Sequence, residues 1–170
     1  MSGNTRLLIA ALSLSAAGLV GIVVQEGYTD IASPPVKGDV PTYGFGTTSH
    51  PDGSPVRAGE KITPPKALER ALADVGKFEG ALKRCVTAPL HQHEYDAFVS
   101  LAYNIGPGAF CGSSLVKRLN QLQYAEACGQ ILVWKFYQGH DCSLLESARL
   151  CGGLWSRRQV EYHQCMGDAQ

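Results

Sequence analysis

A chain of 170 residues in which 15 Lys and Arg balance 15 Asp and Glu is long enough to bury one core without a partner, so a monomer is expected. The zero formal charge argues against nucleic acid, whose phosphates would call for a basic surplus. Lys117, Arg118, Arg149, Arg157 and Arg158 gather late but as scattered pairs, which reads as a solvated face.

The first element is Leu7 to Val24, an uncharged run of 18 residues preceded by Arg6 and followed by Glu26. It is just long enough to span a bilayer, but eight of its residues are Ala, Gly or Ser, so insertion is marginal. Arg6 places the N-terminal end in the cytoplasm and the remainder outside it. Ser15-Ala16-Ala17 resembles a cleavage site, which leaves a cleaved secretory signal open. A permanent anchor and a buried core helix are the other readings, although the run lacks the polar face of a core helix. A signal anchor that inserts uncleaved and later leaves the bilayer suits the small-residue content. The expected division is a signal-anchor segment over residues 1–24 and a catalytic domain over 25–170.

Residues 25–48 place one acid, Glu26, directly after the apolar run and a second, Asp39, in a turn. Ser33-Pro34-Pro35, Lys37-Gly38-Asp39, Pro51-Asp52-Gly53 and Ala58-Gly59 mark residues 27–62 as irregular or β structure, with a tight turn at Pro51-Asp52-Gly53. Thr42, Tyr43 and Phe45, separated by Gly44 and Gly46, suit a short strand or hairpin with close backbone approach.

From Thr63 the period becomes helical. Thr63 as N-cap, Pro64 at the first helical position and Ala67, Leu68, Ala71, Leu72, Val75, Phe78 and Leu82 at spacings of three and four predict a helix over about 64–84. A second is predicted over 92–105, ended by Gly106-Pro107-Gly108. Ser113-Ser114 caps a third that carries Leu115, Leu119 and Leu122. Tyr124–Phe136 reads as a fourth helix and Gly153–Cys165 as a fifth. Cys85, Cys111, Cys128, Cys142, Cys151 and Cys165 form an even set without a CxxC pair, which favours disulfides over zinc and leaves the pairing open.

Two carboxylates in different surroundings are the minimum equipment for glycoside hydrolysis, one as general acid and one to position water or attack. Glu26, after Val23 and Val24, is placed for the first role. Asp39, flanked by Lys37 and Gly38, is placed for the second, with Asp30 as its alternative. The plain reading is that Glu26 is a helix-terminal charge and Asp39 a turn residue. His91, His93 and Glu94 read as exposed polar residues at a helix start, and no metal or cofactor is expected. Ser113 and Ser114 have no His at a recognisable offset for a serine hydrolase. Asn104 either caps its helix or hydrogen-bonds a sugar.

Four blocks occur in order: Glu26-Gly27-Tyr28; Pro41-Thr42-Tyr43-Gly44-Phe45-Gly46-Thr47-Thr48; Ala102 to Phe110 with Ser113-Ser114-Leu115; and Gly152-Gly153-Leu154-Trp155-Ser156-Arg157-Arg158-Gln159-Val160-Glu161. Together they resemble the phage-type lysozymes, the glycoside hydrolase family 24 endolysins, over roughly residues 20–166. The N-terminal run resembles that of the signal-arrest-release subgroup, exported to the periplasm as inactive forms tethered to the inner membrane and activated on leaving the bilayer.

The resemblance implies an α+β, predominantly helical, lysozyme-like fold with a small β-containing lobe, a larger helical lobe and a cleft between them. It implies hydrolysis of the β-1,4 bond between N-acetylmuramic acid and N-acetylglucosamine in peptidoglycan by a Glu, an Asp and a Thr: Glu26 and Thr42 match the family's positions, Asp39 is taken as the substitute for the Asp with Asp30 as the alternative, and Asn104 and Ser114 are candidates for binding the glycan. Family members usually carry the Asp nine residues after the Glu and six before the Thr, where this chain has Pro35 and Val36. Asp39 lies thirteen after Glu26 and three before Thr42. The family's His after the Gly-aromatic-Gly turn is replaced by Thr47. With no cysteine in residues 1–84, latency cannot depend on thiol exchange with the active site, which leaves activation by refolding. A non-catalytic wall-binding protein and a lytic transglycosylase are the competing functions.

Overall fold

A computed structural model describes residues 5–35 and 38–168. The chain forms two compact units: one from the residues up to Gly18 together with Phe78 onward, the other Leu19–Lys77. The boundaries fall inside the helices α1 (Ala16–Glu26) and α2 (Pro64–Cys85). The fold is α+β and mostly helical, as expected.

The apolar run is not one helix. It divides into a 3-10 turn at Ile9–Ala11, an extended stretch and α1. The break has a physical cause: the N–H groups of Leu14 and Ser15 donate to the carboxylates of Glu79 and Asp96 at 2.7 and 3.0 Å instead of to carbonyls of a preceding turn. No helix of the described residues is long and apolar enough to cross a membrane.

In the Leu19–Lys77 unit, β1 (Thr29–Ser33) pairs antiparallel with β2 (Thr42–Gly44), with Thr29 opposite Gly44 and Ser33 opposite Thr42. Ala32, Tyr43 and Val56 form its small core, with Ile62 packed against them. The turn expected at Pro51-Asp52-Gly53 is closed by the His50 N–H donating to the Ser54 carbonyl at 2.8 Å and by Asp52 accepting from the Ser54 N–H at 2.9 Å. The N-terminal part of α2 completes the unit. Its start matches expectation: Pro64 leads the helix and the Ala67 N–H donates to the Thr63 carbonyl.

The other unit is helical. Its centre is α3 (Gln92–Ile105), which packs most extensively on α7 (Ala148–Met166). The core includes Leu82, Tyr95, Phe98, Phe110 and Leu115. Gly106 ends α3, but the chain does not pass into a loop there. Pro107, whose missing N–H costs nothing at a first helical position, begins α4 (Pro107–Cys111). Ser113 caps α5 (Ser114–Asn120), accepting from the Val116 N–H. Leu115 and Leu119 are buried as expected, whereas Leu122 lies beyond the helix end and is exposed.

The fourth expected helix is corrected. Residues 124–136 divide into α6 (Tyr124–Gly129), a 3-10 stretch Gln130–Val133 and the strand β3 (Phe136–Tyr137), which pairs with β4 (His140–Asp141). The reason is the two-residue turn Gln138-Gly139, in which both residues have positive φ, as tight hairpins favour. The helix expected from Gly153 begins earlier, at Ala148, with a kink at Cys151, whose side chain is tied to Cys142. The remaining bridges join Cys85 to Cys111 and Cys128 to Cys165, so all six cysteines form disulfides.

The β3–β4 hairpin carries its own acid-labile contact. The Lys135 ammonium, 2.8 Å away, and then the Ser143 hydroxyl hold the Asp141 carboxyl down at about 2. A carboxylate depressed in the folded state contributes stability above its unfolded value and loses it as pH falls through the folded one. Acid titration followed by NMR should therefore show the Ser143 amide, a donor to Asp141, responding near pH 2. In Lys135→Met that response should move up towards the ordinary aspartate range.

Candidate active site

The two acids and Thr42 belong to the Leu19–Lys77 unit, and the backbone explains Glu26 first. Glu26 is the last residue of α1, because Gly27 follows with φ +69 and its N–H closes back on the Val23 carbonyl at 3.1 Å. The left-handed residue that stops the helix needs a glycine. Glu26 is half-buried.

The turn after β2 comes back against this carboxylate. The Tyr43 and Thr47 backbones exchange hydrogen bonds at 3.2 and 3.0 Å, which folds Gly44-Phe45-Gly46 into a narrow loop. Gly46 has φ +80, and a Cβ built there would lie 3.2 Å from Glu26 Oε2. Two independent constraints thus demand glycine, one conformational and one steric. Tyr28 reinforces the arrangement, its ring 5.6 Å from that of Phe45 and its hydroxyl donating to the Ile62 carbonyl at 2.8 Å.

Thr42, half-buried, opens the strand that leads into this loop, so Glu26 and the Thr42 hairpin are brought together. Asp39 is exposed in a bend in the connection between β1 and β2, three residues before Thr42. Its expected neighbour Lys37 and Val36, one of the two positions to which the family spacing points, lie outside the described residues, whereas the other, Pro35, is exposed. Asp30 is exposed on β1, where its carbonyl accepts from the Ile62 N–H. Asn104 and Ser114 lie in the helical unit. Asn104, exposed near the end of α3, accepts through Oδ1 from the Arg158 guanidinium. Ser114 opens α5 and donates to Gln130 Oε1 at 2.6 Å.

Thr47 is internal, and so are two groups that the sequence suggested were exposed, Glu94 and the Arg157-Arg158 pair. Thr47, 2% exposed, donates to Asp74 on α2 at 3.3 Å, and Asp74 also meets Lys77 and Arg70. Arg70 in turn donates to the Ser49 carbonyl, so the hairpin is tied to α2 on both sides of Thr48. Glu94 is buried rather than exposed: it takes the Arg6 guanidinium at 2.7 Å and the His91 N–H at 2.8 Å. Arg157 and Arg158 do not form a solvated face. They are 5% and 0% exposed and both reach Glu161, itself 2% exposed, which also accepts from the Ser100 hydroxyl at 2.7 Å. The Arg-Arg-x-x-Glu spacing, which sets Glu161 three and four residues beyond its partners on one helix face, is the sequence signal for this set.

Comparison with known proteins agrees with this architecture. The phage lysozyme family matches residues 23–161. The endolysin of Salmonella phage P22 is 36% identical over 124 residues, 73% of this chain and 84% of that protein. A SAR-endolysin of Escherichia phage N15 is 33% identical over 112 residues, 65% of this chain and 63% of the relative. Among solved structures, the endolysin from Escherichia coli O157:H7 phage FAHEc1 superposes with a TM-score of 0.79 at 32% identity, covering 94% of this chain and 96% of that one. A match spanning Glu26, the Thr42 hairpin and the Arg157–Glu161 helix leaves one reading of its descent: the chain belongs to the phage lysozyme family.

Proposed function

We infer that this protein is an endolysin, a lysozyme-type glycosidase that hydrolyses peptidoglycan and lyses the host cell. The bond cut is the β-1,4 linkage between N-acetylmuramic acid and N-acetylglucosamine. The observation that carries this reading is the half-buried Glu26 carboxyl at the end of α1, with the Gly46 loop of the Thr42 hairpin packed against it. Such a carboxyl, approached by backbone on one side, suits proton donation to a glycosidic oxygen. Asp39 and Thr42 hold a water for attack on the opposite sugar face, which inverts the anomeric centre without a covalent intermediate. Asn104 and Ser114 serve as polar contacts to the glycan.

The chain acts after export. The apolar run, the N15 SAR-endolysin relative and the placement of Arg6 before the run support a form tethered to the inner membrane with its N-terminus in the cytoplasm. The break of the run before α1 supports the existence of a second, released form in which these residues lie outside the bilayer.

Clearing of chloroform-permeabilised Gram-negative cells, with mass analysis of the soluble fragments, tests the activity and the second acid together. Fragments carrying a reducing end are expected, heavier by one water than the anhydro fragments of a transglycosylase. Asp39→Asn should slow clearing by roughly a hundredfold or more, while Asp30→Asn stays within a few-fold of wild type. The reverse order would transfer the base to Asp30, and wild-type protein that binds the wall but yields neither fragments nor clearing would return it to the class of wall binders.

A further inference from the structure

The helix that ends at Glu26 is a poor helix by composition. Its eleven residues, Ala16-Ala17-Gly18-Leu19-Val20-Gly21-Ile22-Val23-Val24-Gln25-Glu26, include two glycines and four β-branched residues, and its first turn has no acid. An isolated helix of this length is marginal even with good formers. Val20 and Val24 are 58% and 72% exposed, so packing along the helix is one-sided. What starts α1 is therefore decisive.

Ser15 caps it. The Ser15 hydroxyl oxygen accepts from the Gly18 N–H at 2.9 Å, the contact an N-cap serine makes with the third helical residue. In a capping box that third residue would be Glu or Gln, reaching back to the N–H of the cap. Here it is Gly18, which has no side chain, and the carboxylate comes from elsewhere. Asp96 on α3, 5% exposed, accepts from the Ser15 N–H at 3.0 Å through Oδ1 and from the Ser15 hydroxyl at 2.6 Å through Oδ2. A Cβ at position 18 would lie 2.9 Å from Asp96 Cγ, so the absent side chain is the condition for the carboxylate to enter.

The surrounding contacts fix the same point. Gln92 donates through Nε2 to Asp96 Oδ1 and to the Ser13 carbonyl, both at 2.8 Å. Glu79 Oε1 accepts from the Leu14 N–H at 2.7 Å and from the Tyr95 hydroxyl at 2.8 Å. Burial, then the hydrogen bond to Glu79, keep that phenol protonated and a donor. An anionic group at the N-terminus also opposes the positive end of the helix dipole.

We propose that Asp96 is a positioning residue for Glu26: it supplies in trans the acid missing from the α1 capping box, and so sets whether residues 16–26 form the helix on whose end Glu26 stands. The proposal rests on Glu26 being the acid of the reaction.

Hydrogen exchange of the full chain, steady-state kinetics on purified peptidoglycan and thermal melting test it in Asp96→Asn and Ser15→Ala. Amides of residues 17–26 should exchange roughly three- to thirtyfold faster in Asp96→Asn, the range of a lost cap, while those of α5 and α7 keep their protection. At temperatures where each variant is fully folded, kcat should fall about tenfold with KM unchanged; a merely structural residue would lower Tm without moving kcat there. Ser15→Ala, which leaves the carboxylate in place, should shift exchange and kcat in the same sense, and the double variant should lose less than the product of the two. Should Asp96→Asn fail to fold, Ser15→Ala carries the same comparison. Unchanged exchange in α1, or faster exchange with unchanged kcat, would overturn the proposal. An active Glu26→Gln would instead overturn the assignment of the acid, and the exchange data would still decide the role of Asp96 in starting α1.

Discussion

Glu26→Gln should reduce the clearing rate by a factor on the order of 10² to 10⁴ while leaving the fold in place. The amide matches the carboxyl in shape and can occupy the space beside Gly46, where a Cβ would already lie 3.2 Å from Oε2. It has no proton to deliver to a departing sugar oxygen at neutral pH. Glu26 is half-buried at a helix end rather than inside a core, so stability should change by no more than about 1 kcal/mol. Clearing assays with a thermal melt on the same preparation check both halves. Near-normal clearing by a folded Glu26→Gln protein would remove Glu26 from the role of general acid. Loss of clearing together with loss of the folded state would say that the carboxyl is structural. The Gly46 loop adds an independent handle, because any side chain there both meets the carboxylate and strains a residue at φ +80.

The fold was legible where local chemistry and long-range packing agree. Helix α2 follows from its apolar spacing and its starting residues, the end of α3 from Gly106-Pro107-Gly108, and the hairpin at Thr42 from its alternating glycines. Glu26 was legible as a helix end because Gly27 immediately follows it. Other elements depend on partners that lie far away in the chain. The 18-residue apolar run has no internal reason to break between Leu12 and Ser15; the reason is Glu79 and Asp96, more than sixty residues later. Residues 130–137 keep a helical pattern of apolar positions, yet Gln138-Gly139 turns them into a hairpin, and Gln is a weaker turn signal than Asn or Asp would be. Charged side chains were the hardest to place. Arg157, Arg158 and Glu94 carry the composition of a surface, and burial becomes acceptable only because each finds an opposite charge inside. Asp39 is the residue whose sequence context contributed least, since the connection it occupies departs in length from the family spacing and includes Val36 and Lys37, outside the described residues.

The buried charge set in the helical unit should make Glu161→Gln among the most destabilising conservative changes in the chain. Glu161 Oε1 accepts from Arg157 Nε at 3.1 Å and from the Ser100 hydroxyl at 2.7 Å, and Oε2 accepts from Arg158 Nη1 at 2.7 Å. One carboxylate therefore faces two guanidiniums that are almost wholly removed from water. Gln keeps the size and one acceptor oxygen but removes the negative charge and puts an amide donor towards a cation. Losing one partner of a buried pair typically costs about 3–5 kcal/mol, because the remaining charge stays desolvated. For a chain of this length that corresponds to a fall in Tm on the order of 10 °C. The change should also reach the glycan contacts proposed for Asn104, since Arg158 holds Asn104 Oδ1 and loses its own anchor to Glu161. In variants assayed well below their melting temperature, KM for peptidoglycan should therefore rise more than kcat falls. Asn104→Ala should reproduce the KM change with little loss of stability, because Asn104 is exposed. If Glu161→Gln melted within about 2 °C of wild type, the two arginines would be drawing their compensation from elsewhere, and Glu161 would rank as one acceptor among several.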